Sequence, residues 1–147
     1  MYNSAKTLNS IKEFRLRIRG EKVVLHEIIH PSVTTMSSNG VFNFCALEYL
    51  KDFHEFFLDA KSQMEKTKNN IQIENKASED NRMYITSLPW VSYTSVNHPI
   101  NMNPVSSVPI ITWGKFFKEN DKILIPFSLQ VHHALIDGAV FVKHVVA

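Results

Sequence analysis

The run KILIPFSLQVHHALIDG, residues 122–138, constrains this chain more than any other stretch. Ile123, Ile125, Phe127, Leu129 and Val131 fall at every second position, the pattern of a half-buried strand. Continuing the count puts His133, not His132, on the apolar face. Asp137 follows four residues later, then Gly138 and a fresh apolar run. The pattern predicts a strand that delivers an imidazole inward at its end, followed at once by a turn containing an acid. A lone histidine so placed is most simply a core residue bonded to backbone. The doublet and the Asp-Gly that follows argue for chemistry.

The rest of the chain alternates strands with few helices. Ser4 to Lys12 is expected as a short helix, and Phe14, Leu16 and Ile18 alternate with Arg15, Arg17 and Arg19 as a strand with a wet, basic face. A turn at Gly20 leads to a strand over Val23 to Ile29. His26 and His30 would share one face of an extended chain but stand roughly 13 Å apart, too far for chelation, so no metal is assigned. Val33 to Met36 and Val41 to Leu47 flank an Asn-Gly hairpin signal at Ser37-Ser38-Asn39-Gly40. Lys51 to Lys66 carries Phe53, Phe56, Phe57, Ala60 and Met64 at helical spacing, an aromatic stripe read as core. Asn69 to Asn81 is polar and expected as a surface loop. Strands at Arg82 to Leu88 and Pro109 to Phe117 precede the histidine strand, and a final helix starts at Gly138. With no βαβ alternation, this order implies an α+β two-layer sandwich, a mixed sheet covered by helices.

Composition excludes several classes. Sixteen Lys and Arg against fourteen Asp and Glu leave +2, too little to argue for nucleic acid or an anionic membrane. No apolar run approaches the ~20 residues of a membrane-spanning helix. The first ten residues lack a signal-peptide core, and the single cysteine, Cys45, cannot form an internal disulfide; both suit a cytoplasmic protein. Cys45 lies in an apolar run and reads as a buried, inert thiol.

His-His-x-x-x-Asp-Gly is shared by several CoA- and carrier-dependent acyltransferases, and the flanking residues narrow the match. Ser87-Leu88-Pro89-Trp90-Val91-Ser92, Pro109-Ile110-Ile111-Thr112 and Gln130-Val131-His132-His133-Ala134, in that order, make the chain resemble the chloramphenicol acetyltransferase family from about Leu8 onward. The resemblance implies that family's CoA-dependent acyltransferase fold, with acetyl-CoA as donor, a small-molecule hydroxyl as acceptor and no metal. It implies three subunits with active sites at their interfaces. It implies His133 as general base and Thr86, in place of a serine, as oxyanion donor. Thr112 would assist by hydrogen bonds, and Asp137 would be structural, pairing with an arginine of an N-terminal segment. That arginine has no counterpart here, which leaves helix N-capping as a local role for Asp137. Lys115 and Phe116 match a Lys-Tyr pair at the coenzyme A end, while Phe42, Phe44, Val96 and His98 match acceptor-pocket positions. Phe44 is larger than the family's residue, Val96 replaces an aromatic ring and His98 replaces leucine, so a remodelled cavity is expected.

Compared with a family subunit, residues 1–147 are expected to form one partial domain, lacking the first elements and the end of the last helix. Two alternatives stand beside the acetyltransferase reading. One is a dihydrolipoyl acyltransferase core, opposed by the Leu-Pro-Trp-Val-Ser segment. The other is a truncated subunit that only associates with like chains.

Overall fold

The computed structural model describes residues 1–37, 39–69, 79–103 and 105–141. The elements are α1 (Tyr2–Ser10), β1 (Leu16–Arg19), β2 (Lys22–Leu25), β3 (His30–Met36), β4 (Phe42–Ala46), α2 (Phe53–Asn69), β5 (Arg82–Leu88), β6 (Ile110–Gly114), β7 (Phe117–Glu119), β8 (Lys122–Leu124), β9 (Phe127–Gln130) and α3 (Gly138–Phe141). Five strands form the main sheet in the order β4-β3-β5-β6-β9. The β3–β5 and β5–β6 pairs are parallel and the outer pairs antiparallel, so the sheet is mixed, as expected.

One face of this sheet is the core. Val33, Cys45, Met83, Ile85 and Ile111 alternate out of their strands into a cluster with Phe56 and Ala60 of α2 and Ala5 and Leu8 of α1. Asp52 caps α2, its Oδ1 accepting the Glu55 N–H at 2.9 Å. Only part of the expected aromatic stripe is core: Phe53 and Phe57 remain 57% and 52% exposed. Phe53 packs on Tyr2 and on Phe57, and both phenylalanines line a surface cavity of about 390 Å³.

Three further expectations are corrected. Arg17 is fully buried instead of wet. Its guanidinium donates to the carbonyl oxygens of Phe14, Leu16, Asp80 and Arg82. Burial brings its pKa down to about 10, with Asp80 and Tyr84 opposing. Second, His26 and His30 do not share a strand, because β2 ends at Leu25 and β3 begins at His30. His26 Nε2 lies 3.0 Å from Asp80, and His30 Nδ1 lies 2.9 Å from Glu48.

Third, the histidine strand is two strands. β7 and β8 form a separate hairpin, turning at Asn120 and Asp121 with φ of 45° and 62°, the two-residue turn that needs left-handed backbone. The chain then breaks at Ile125-Pro126 and enters the main sheet as β9. Proline has no N–H for a ladder, which marks the break. The polar loop expected over 69–81 and the helix expected past residue 141 lie mostly outside the described residues, as does Ser38 of the β3–β4 turn.

Candidate active site

The register of the sheet sets up the site. Thr86 and Thr112 are Cα partners across β5 and β6, and Thr112 pairs with Ser128 of β9. Cross-strand partners share a face, so these three side chains form a row on the face opposite the core. The same face at β4 carries Phe42 and Phe44, which pair with Met36 and Thr34. Both phenylalanines are exposed, at 58% and 44%. Over β6 this open face is roofed by the loop between β5 and β6. The loop lies so close at Gly114 that a Cβ there would come within 2.6 Å of the Val91 carbonyl oxygen. Tyr93 donates from its hydroxyl to the Thr112 carbonyl at 2.7 Å.

Under that roof sits His98. Its Nε2 is 2.5 Å from Thr112 Oγ1. Its N–H donates to Gln130 Oε1 at 3.0 Å, and its carbonyl accepts from Gln130 Nε2 at 3.3 Å. Val96, two residues earlier, is half-buried. Sequence reasoning missed Gln130 and Tyr93. Gln130 had a usable signal, since it stands two residues from Ser128 and so on the same face.

His133 lies elsewhere. β9 ends at Gln130, and residues 133–135 form a turn closed by N–H groups of Leu135 and Ile136 donating to the His132 carbonyl at 3.0 and 3.1 Å. His133 keeps the phase expected for it, lining a cavity of about 270 Å³ with Leu129, Val131, Ile136, Asp137 and Gly138. It is exposed, however, not buried as expected. β9 is an edge strand of the sheet, and Phe127, Ile125 and Ile123 on the same run are 40%, 53% and 70% exposed. No described element covers that surface. His132 turns to the backbone, its Nδ1 accepting the Ala134 N–H at 3.3 Å. Asp137 is likewise exposed and caps α3, its Oδ1 accepting from Ala139 and Val140 at 2.9 and 3.1 Å. An exposed carboxylate with these two donors carries no burial cost to be met by an arginine.

The candidate residues therefore divide between two places. Thr86, Thr112, Phe42, Phe44 and His98 belong to the open face, and His133 with Asp137 to the far side of the edge strand. Lys115 and Phe116 follow Gly114 at the opposite end of β6 from Ile110, the partner of Gln130. Both are exposed, Phe116 at 66%. They offer an exposed cation and an exposed aromatic ring at neighbouring positions of the chain.

A mixed sheet with helices on one face is the fold of CoA-dependent acyltransferases. Solved structures with this fold include a chloramphenicol acetyltransferase (TM-score 0.85, 23% identity, 97% of this chain and 72% of that one). They also include the cubic core of the pyruvate dehydrogenase multienzyme complex (TM-score 0.71, 18% identity, 96% of this chain and 61% of that one). The model of the chloramphenicol acetyltransferase family matches residues 1–146, and the chain belongs to that family. The chloramphenicol acetyltransferase of Clostridium butyricum is 35% identical over 141 residues, covering 94% of this chain and 64% of that protein. The chain thus spans just under two thirds of the length of that relative.

Proposed function

We propose that the protein is an acetyl-CoA-dependent O-acetyltransferase of the chloramphenicol acetyltransferase type, acting on a hydroxyl of a small molecule by direct transfer. Family membership supports the reaction class, and one observation supports the arrangement: the paired Thr86 and Thr112 hydroxyls and the His133 imidazole occupy opposite faces of one sheet. A site that needs both Thr86 and His133 is then completed between copies, His133 coming from one and the threonine from the next, in a homotrimer.

In that site His133 removes the acceptor hydroxyl's proton as the oxygen attacks the acetyl carbonyl carbon. Thr86 donates its O–H to the oxyanion that develops on the carbonyl oxygen. The proton held on His133 then passes to the departing sulfur, and the C–S bond breaks. Acetyl-CoA supplies the activated acetyl group as second substrate, and Lys115 and Phe116 would hold its phosphate and adenine.

Two variants test this. His133→Ala should lower turnover by about 10²–10⁴-fold and Thr86→Ala by about 10²–10³-fold, the ranges for a lost base and a lost oxyanion donor. Mixing the two, denatured and refolded together, should restore activity well above either alone, because some interfaces join an intact His133 to an intact Thr86. Two folded, inactive variants whose mixture stays inactive would reject the shared site.

A further inference from the structure

Thr112 is 1% exposed, so its hydroxyl has given up water and needs a protein partner. That partner is an imidazole from the loop, His98 Nε2, at 2.5 Å. The imidazole is itself held. A single side-chain amide, that of Gln130, satisfies both the N–H and the carbonyl of His98, at 3.0 and 3.3 Å. Thr112 is on β6 and Gln130 on the adjacent β9, so the loop residue is fastened to two neighbouring strands at three points. The ring has no other hydrogen bond among the described residues.

This couple changes what the open face can offer a ligand. A threonine hydroxyl engaged by an imidazole is no longer free to meet an acceptor. On the same face the second ring nitrogen of His98 then stands with the Thr86 and Ser128 hydroxyls as a polar group for that task. Either tautomer makes it useful: a protonated Nδ1 donates, and a bare one accepts.

We propose that His98 is a specificity-determining residue that takes the Thr112 hydroxyl out of play and sets its own imidazole as the polar wall of the acceptor pocket. The acceptor class it favours is a hydrophilic, polyhydroxylated small molecule rather than an aryl alcohol. This rests on the reaction proposed above and takes the open face, which carries Thr86, as the acceptor side. Phe42 and Phe44 supply apolar surface at the far strand of that face, and His98 supplies the hydrogen-bonding end.

The test uses binding, which is read whether or not acetyl transfer occurs. Methyl glucoside serves as the polyol probe and chloramphenicol as the aryl probe, each titrated into the purified chain. His98→Leu should weaken methyl glucoside by about tenfold, the worth of one net hydrogen bond, and tighten chloramphenicol. His98→Gln, which keeps a polar group of similar reach, should keep the parent's order of preference. ¹⁵N spectra of the histidine rings should show the His98 signals moving in Thr112→Val. An unchanged preference in His98→Leu, or His98 signals unmoved by Thr112→Val, overturns the inference. A chain that binds the polyol in this manner but transfers no acetyl group instead rejects the reaction proposed above.

Discussion

Thr35 and Thr112 are buried in the same sheet, 5% and 1% exposed, and they face opposite ways. Thr35 lies on the core face between α2 and the strands, and its Oγ1 has no hydrogen-bond partner among the described residues. Thr112 lies on the open face and its hydroxyl meets His98. Strand preference accounts for either threonine, since β-branched side chains suit a pleated surface. It does not account for a distant loop being brought over one of them. A buried hydroxyl without a partner is a cost that an apolar isostere of the same shape would remove. A buried hydroxyl answered from another element is a built contact, and the two threonines therefore respond oppositely to the same substitution.

Three substitutions sharpen or break that contrast. The largest effect is expected beside Thr112 on its own strand. Ile111→Ala removes a fully buried side chain from the core face and should cost about 2–5 kcal/mol in urea unfolding. A smaller loss would mean the core face is loosely packed. Next comes Thr112→Val, which keeps the shape but leaves the His98 nitrogen without its partner. It should cost about 1–3 kcal/mol, the penalty of a stranded polar group. The smallest effect is Thr35→Val, expected to be neutral or to stabilise by up to about 1 kcal/mol. The comparison fails if Thr35→Val destabilises as much as Thr112→Val.

The core face was legible in the sequence because burial writes alternation. Arg82 to Leu88 was read with its observed bounds, and α2 was read from its apolar spacing and Asp52. Arg17 was misread because its alternation with Leu16 and Ile18 is the same whether the odd face is wet or dry. What decides it is two carbonyl oxygens more than sixty residues away. Apolar alternation continues past Pro126, so the pattern alone runs the histidine strand through the point where that proline, lacking an N–H, interrupts the ladder. His133 had the right phase and the wrong exposure: phase is a property of the chain, and exposure depends on what covers it. The Thr86–Thr112 row needed both strand registers, which no local pattern encodes. The His98–Thr112 couple spans fourteen residues of irregular loop and left no periodic trace.

Arg17 has one more consequence. The β1–β2 hairpin shares no ladder with the main sheet, so its attachment runs largely through side chains. Two of the four carbonyls that Arg17 needs belong to Asp80 and Arg82, at the entry to β5. Those oxygens converge only once β5 has found its place beside β3, where Arg82 pairs with His30. Until then the guanidinium stays in water, since burying it early would strand a charge. The hairpin is thus latched to the entry of β5 by one buried guanidinium. Its amides should be among the first to exchange with solvent, and Arg17→Lys, which cannot reach four oxygens with three donors, should leave the sheet formed and the latch open.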